Sequence, residues 1–367
     1  MAVNRAYCWH LVVISLGVTL TVYILVISDQ LAFFPQFKND VKTIYVWDRP
    51  EWLFMKMGPS VEEFRKLQCE ISGCRLVDRR SYPEEKLHGA DSILFTIRDF
   101  YAERPERTNP DQIWVLWIRE TPLHYYPIDL DSLNDVFNLT FTYLNDSRTD
   151  IYSPVGKIIR RPTARRYHPR NVEFVRNKTK SVAWIVSNCW SRGQRSHYVD
   201  ELSKYLPVDI YGRCGLNCTR QGQYCMKMIE KDYHFYLAFE SMYCRDYVTE
   251  KMYRTLSYDV IPVVLGGADY ANAFRPRSYI DVRDFRSPKH LARYLTSLMK
   301  NPEQYLDYLE WKKSYMAIPY CTQSLCDLCK ILHNPDYGYK SEFQLDKYWD
   351  PDEQCLYGHR EREALHL

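Results

Sequence analysis

Tyr233 to Gly267 reads YHFYLAFESMYCRDYVTEKMYRTLSYDVIPVVLGG, and this stretch decides the fold. An aromatic, apolar run ends at Glu240. A polar turn follows, then an amphipathic segment opening on Glu250-Lys251, then the apolar run Val260 to Leu265 closing on two glycines. Strand, turn, helix and buried strand in that order make a βαβ unit, whose strands are parallel because the crossover carries the chain back to the end of the sheet where it started. Ligands of open parallel sheets sit beyond the carboxyl ends of the strands. Tyr247, Glu250 and Lys251 therefore lie where an anionic group such as a phosphate docks.

The same alternation extends outward from this unit. Short β-rich runs occur at Thr43–Trp47, Ser92–Thr96, Trp114–Trp117, Ser181–Val186 and Val208–Tyr211, besides His234–Phe239 and Val260–Leu265. Helical patterns at Val61–Leu67, Gln194–Tyr205, Val248–Leu256 and Pro288–Met299 separate many of them. Such alternation predicts an α/β protein built on parallel sheets. A chain of 367 residues is long for one domain, so two are expected, at 42–160 and 161–335, with a tail at 336–367. The crossing between them falls at Asp146–Arg170, rich in Arg, Pro and Tyr with little periodicity, and no internal repeat is visible.

A net charge of +3 with interspersed acids and bases points away from nucleic acid. The dense basic run RRPTARRYHPR, Arg160 to Arg170, reads first as a solvated interdomain segment and second as an attractor for an anionic substrate. Tyrosine is abundant, with 31 copies, and aromatic faces can stack on sugars; for most of them the core reading is the better one.

Cys8–Ser28 is apolar enough and long enough for one membrane-spanning helix, with Arg5 before it and Asp29 after. It lacks the small-residue cleavage site of a signal peptide, so the expectation is a signal anchor: 1–7 cytosolic, 8–28 in the membrane, 29–41 a stem, and the body luminal. Sequons at Asn138, Asn145, Asn177 and Asn217 and a total of twelve cysteines agree with an oxidising compartment. The disulfide candidates cluster as Cys69 and Cys74, then Cys214, Cys218, Cys225 and Cys244, then Cys321, Cys326 and Cys329. Cys326-Asp-Leu-Cys329 has zinc or redox spacing, but no second such pair completes a metal site, so structural bridges are expected. Pairing the first cluster with the last would tie the two ends of the body together.

At FYLAFE (Phe235–Glu240), DYVTEK (Asp246–Lys251) and IPVVLGG (Ile261–Gly267) the chain resembles the α-1,3-fucosyltransferases, Golgi enzymes that use GDP-fucose. SNC with a following Arg (Ser187–Arg195), DIYGRCG (Asp209–Gly215), RETPLH (Arg119–His124), RDFRSPKHLARYL (Arg283–Leu295) and CDLCKIL (Cys326–Leu332) also match. The resemblance, covering about Thr43 to Leu332, implies a GT-B architecture: two Rossmann-like domains facing across a cleft, the first presenting the acceptor and the second binding GDP-fucose. It implies that the carboxylate of the family's Glu-Ser-Pro motif, here Glu120-Thr121-Pro122, is the general base. It places Ser187, Asn188, Arg195, Glu240, Ser241, Tyr247, Glu250 and Lys251 at the donor, with Arg195 and Lys251 meeting the diphosphate. By its own position Thr249 is the expected cap of the helix that Glu250 and Lys251 open.

Basic residues take the place of a metal in this family, so no essential ion is expected; Asp129-Leu130-Asp131 and Asp350-Pro351-Asp352 are short patterns that arise by chance. The implied setting is the Golgi membrane, with glycoprotein glycans as partners and transfer of L-fucose to the 3-hydroxyl of GlcNAc. The departures gather around the donor: Ser241 stands where relatives carry Asn, Leu144-Asn145 and Val155 replace two basic residues and an aromatic, and Thr96 replaces a common His. They leave open a catalytically weak relative that binds glycan or GDP-fucose.

Overall fold

The computed structural model describes residues 41–47, 60–78, 81–97, 100, 103–125, 127–218, 221–320, 322–337 and 343–367. The apolar Cys8–Ser28 stretch and Cys321 lie outside them; among the described residues no helix is long and apolar enough to cross a membrane.

The first sheet has six parallel strands, β1 (Lys42–Val46), β2 (Cys74–Val77), β3 (Ser92–Phe95), β4 (Ile113–Ile118), β5 (Leu139–Thr142) and β6 (Ile151–Tyr152), in the order β2-β1-β3-β4-β5-β6. Its central strands, SILF and IWVLWI, are apolar at nearly every position because both faces of the sheet are covered. Successive side chains still alternate between faces: Tyr45, Phe95, Trp114 and Leu116 pack on one, Ile44, Leu94, Val115 and Trp117 on the other.

The chain leaves through β7 (Lys157–Arg160) and builds a second parallel sheet from β8 (Lys180–Ile185), β9 (Val208–Tyr211) and β10 (Tyr233–Phe239). After the short β11 (Tyr243–Cys244), β12 (Ile261–Leu265) and β13 (Ile280–Asp281) complete it in the order β13-β12-β10-β8-β9. β10, seven residues long and buried throughout, pairs in parallel with β12, as the Tyr233–Gly267 pattern predicts. The strand order reverses between β8 and β10, and such a reversal opens a crevice at the carboxyl ends of the two strands. The crossing, read from its sequence as having little periodicity, carries two strands: β6 extends the first sheet and β7 pairs antiparallel with β14 (Tyr315–Ile318).

Helices pack where their apolar stripes require. Pro288–Met299 starts at the cap Ser287, whose side chain accepts from the His290 amide, with Pro at the first position, and it buries Leu291, Leu295 and Leu298. Arg195–Ser203 buries Tyr198, Val199 and Leu202 beside the second sheet.

Residues 343–367 cross both sheets as a strap. Phe343, Leu345, Tyr348 and Trp349 enter the core of the first sheet, and the Tyr348 hydroxyl lies 2.9 Å from Thr142 Oγ1. β15 (Cys355–Leu356) then pairs with β11, and Leu365 enters the core of the second sheet.

Among the described residues five disulfides hold this arrangement. Cys69–Cys326 and Cys74–Cys329 join the first cysteine cluster to the last, the pairing that ties the two ends of the body together. Cys218–Cys225 closes a short loop. Cys214 and Cys244 bond outside the expected set, to Cys189 and Cys355. Neither partner stands near another cysteine in sequence, so spacing gave no sign of them.

Candidate active site

Three turns at strand ends converge. β4 ends at Ile118 and delivers half-buried Arg119 and Glu120. β10 ends at Phe239 and is followed by Glu240, a turn with Asp246 at φ 56°, Tyr247, and the helix Glu250–Thr255. β8 ends at Ile185, and the loop 186–194 leads into the helix headed by Arg195.

The Tyr247 hydroxyl donates to Glu120 Oε2 at 2.6 Å, which brings the first sheet's carboxylate to the second sheet's βαβ turn. Tyr247 is buried, and its ring lies 5.2 Å from that of Tyr143. Burial, reinforced by the Glu120 and Glu240 charges, pushes its phenol well above the ordinary value, so it stays a neutral donor.

Glu240 is buried and accepts from the Thr249 amide at 2.8 Å, from the Thr249 hydroxyl, and from Lys251 Nζ at 3.1 Å. Thr249 therefore spends its hydroxyl on Glu240, and no side-chain cap bond to the Glu250–Thr255 helix forms, contrary to expectation. Lys251 Nζ also donates to Thr249 Oγ1 at 2.7 Å and stands 3.6 Å from Glu250. Burial pulls the ammonium pKa down, but Glu240 and Glu250 outweigh it and hold Lys251 charged. Burial pushes the Glu250 carboxyl up, and Lys251 reverses this, leaving it below its ordinary value. Glu240 stays raised by burial.

Arg195 is 3% exposed. Its Nη2 donates to the Asn188 carbonyl at 2.9 Å and its Nη1 faces the Phe239 carbonyl at 3.4 Å, while Nε is buried with no acceptor among the described residues. Burial lowers its pKa. A cationic donor left unfilled at a strand-end crevice suits an anion. Ser187 and Asn188 are exposed, and Trp190, on the loop that Cys189–Cys214 pins, is 93% exposed. Ser241 is half-buried, and its carbonyl stands where any side chain at Gly193 would fall: a Cβ there would be 2.4 Å away.

Other expectations resolve elsewhere. Arg161 donates to the Lys312 and Tyr315 carbonyls, and Arg170 pairs with Asp259 at 2.6 Å. Asp259 precedes β12 and so marks the opposite end of the strands from Glu240; this arm of the basic run fastens the back of the sheet rather than facing the crevice. Asp350 caps the helix Pro351–Gln354, and Asp131 opens a short 3₁₀ turn. Asn145, Asn177 and Asn217 are exposed, while Asn138 is half-buried, its Oδ1 accepting from Trp114 N and Arg107.

Arg192 and Glu361 were not anticipated. Arg192 Nη1 reaches the Leu123 carbonyl at 3.4 Å, and Glu361 Oε1 accepts from the Gln194 amide at 2.9 Å. Neither has a local sequence signal; Glu361 is one of two acids in HREREA.

A family model described as "Fucosyltransferase, N-terminal" matches residues 39–156, and one described as "Glycosyltransferase family 10 (fucosyltransferase) C-term" matches residues 175–348. The chain belongs to the fucosyltransferases of glycosyltransferase family 10. This fucosyltransferase is 33% identical over 333 residues to alpha-(1,3)-fucosyltransferase C of Drosophila melanogaster, covering 85% of this chain and 75% of that one. It is 35% identical over 333 residues to glycoprotein 3-alpha-L-fucosyltransferase A of the same species, covering 87% and 63%. A human 4-galactosyl-N-acetylglucosaminide 3-alpha-L-fucosyltransferase is 36% identical over 245 residues, covering 65% and 64%. The enzyme shares its fold with the crystal structure of an alpha1,3-fucosyltransferase, at a TM-score of 0.54 and 16% identity over 82% of this chain and 93% of that one. The same fold occurs in a structure described as alpha1,3-fucosyltransferase with GDP-fucose, at a TM-score of 0.52 and 17% identity over 81% and 92%.

Proposed function

We propose that this fucosyltransferase moves L-fucose from GDP-fucose to the 3-hydroxyl of GlcNAc in glycoprotein glycans, with inversion at the anomeric carbon and Glu120 as general base. The observation that carries the reading is the 2.6 Å bond from Tyr247 to Glu120 Oε2, which sets a carboxylate beside the cluster of Glu240, Lys251 and Glu250. Oε2 is occupied by the phenol, and Oε1 takes the proton of the acceptor hydroxyl as its oxygen attacks the anomeric carbon. The bond from that carbon to the phosphate oxygen breaks on the opposite face, and the charge released onto GDP is met by Arg195 and Lys251. Support for the donor comes from the unfilled Arg195 Nε and from the shared fold of the structure with GDP-fucose; support for the acceptor comes from the names of the relatives. Basic residues serve the leaving group in this reading, and no metal is assigned a part. The Golgi membrane is the proposed location, with the body luminal, on the strength of the apolar Cys8–Ser28 stretch and of five disulfides that need an oxidising compartment.

Transfer of labelled fucose to defined N-glycan acceptors tests it. Glu120→Gln should lower kcat by about a hundredfold or more while GDP binding persists, because only the proton acceptor is lost. Undiminished turnover would remove Glu120 from the role.

A further inference from the structure

The helix that carries Arg195 lacks a cap of its own. Gln194 precedes it, and no side chain of the local sequence satisfies its first amides. The missing acceptor arrives from 167 positions away: Glu361, 1% exposed on the C-terminal strap, accepts the Gln194 amide hydrogen bond through Oε1 at 2.9 Å. Its Oε2 is buried with no partner among the described residues. A carboxyl buried this deeply with one oxygen idle is costly, so its position calls for a use.

The neighbouring geometry shows what the contact holds. Gly193 lies against both Glu361 Oε1 and the Ser241 carbonyl, at 3.4 and 2.4 Å from where a Cβ would stand. The backbone at 193–194 is thus pressed between the strap and the turn that follows β10, and Arg195 is the next residue. The arginine's guanidinium is fixed in turn to the Asn188 and Phe239 carbonyls. The strap is fixed upstream of Glu361 by the Cys244–Cys355 disulfide and downstream by Leu365 in the core of the second sheet. A short-range cap would have tied the helix start to its own loop; this one ties it to a segment that also enters the first sheet's core.

We propose that Glu361 is a positioning residue of the donor site, supplied by the C-terminal strap, which sets the 193–194 backbone and through it aims Arg195 at the nucleotide diphosphate. The inference rests on the reading of Arg195 as a diphosphate contact. Glu361 touches neither substrate nor reacting atoms in this role, and acts through the peptide that it holds. Its charge is not required, only an acceptor at the position of Oε1.

Calorimetric titration of the full chain with GDP, beside steady-state transfer kinetics, tests this. Glu361→Ala should weaken GDP about tenfold and raise the KM for GDP-fucose similarly, with the acceptor KM unchanged. Glu361→Gln keeps a carbonyl acceptor and should restore both. Should the alanine variant fail to fold, Glu361→Asp withdraws the acceptor by one methylene and should show the same loss. Wild-type GDP affinity in the alanine or aspartate variant overturns the proposal, and so does an equal loss in the glutamine variant. Arg195→Met separates this from the underlying reading. If Arg195→Met alone leaves GDP affinity intact, Arg195 is not the diphosphate contact. If it weakens GDP, adding Glu361→Ala to it should cost nothing more, and a further tenfold loss would show that Glu361 acts by another route.

Discussion

Cys69–Cys326 and Cys74–Cys329 run side by side, and their proximity makes the loss of one very different from the loss of both. Each bridge spans more than 250 residues, with separations of 257 and 255. While either is intact, the other closes a much smaller circuit, because Cys74 follows Cys69 by five positions and Cys329 follows Cys326 by three. Chain entropy assigns a circuit of about ten residues about 2.5 kcal/mol, so removing one bridge by a pair of alanines should cost about that much. Removing the second as well opens the long loop, for about another 5.5 kcal/mol, and the total reaches about 8 kcal/mol. The two pairwise variants together account for about 5 kcal/mol, leaving about 3 kcal/mol of coupling. Urea unfolding of the wild type, the Cys69→Ala/Cys326→Ala and Cys74→Ala/Cys329→Ala variants and the quadruple variant, all under non-reducing conditions, measures that coupling. A quadruple variant no less stable than the simple sum would refute the shared-circuit argument.

Lys251→Ala should weaken GDP binding by at least tenfold in calorimetry, and it should also destabilise the fold by about 3 kcal/mol in urea, because Glu240 is left buried without its cation. Burial pushes the Glu361 carboxyl up from its ordinary 4.5 to about 7, opposed only by the Gln194 amide bond. The folded protein therefore holds a proton that the unfolded chain has lost, so this contribution is complete below pH 4.5 and disappears as pH rises to about 7. It amounts to about 3 kcal/mol, and the stability profile of Glu361→Gln should lack it; parallel profiles for the two proteins would contradict the assignment.

What could be read from the sequence followed from how strongly each segment states its own preference. The helix Pro288–Met299 was legible to the residue because Ser287 and the following proline mark its start and its apolar stripe is continuous. β10 and β12 are long apolar runs that resemble nothing but buried strands. β6 and β13, of two residues each, are strands only because a neighbour offers them hydrogen bonds, and no local pattern announces that. The site divides in the same way. Glu120, Arg195 and Lys251 stand beside the strand ends or helix starts where chemistry is expected, whereas the contact between Glu120 and Tyr247 joins positions 127 apart. Thr249 does not play the part its place before the helix suggests, because the buried carboxylate of Glu240 takes its hydroxyl as a donor and Lys251 Nζ takes its oxygen as the acceptor.

Tyr143, Tyr247 and Trp349 belong to one apolar cluster that also holds Phe95 and Trp114 of the first sheet, although Tyr247 sits on the βαβ turn of the second. Swinging the two sheets apart about a hinge would wet these rings at several kcal/mol each. The two sheets consequently share part of one core, and any opening between them carries the cost of exposing it.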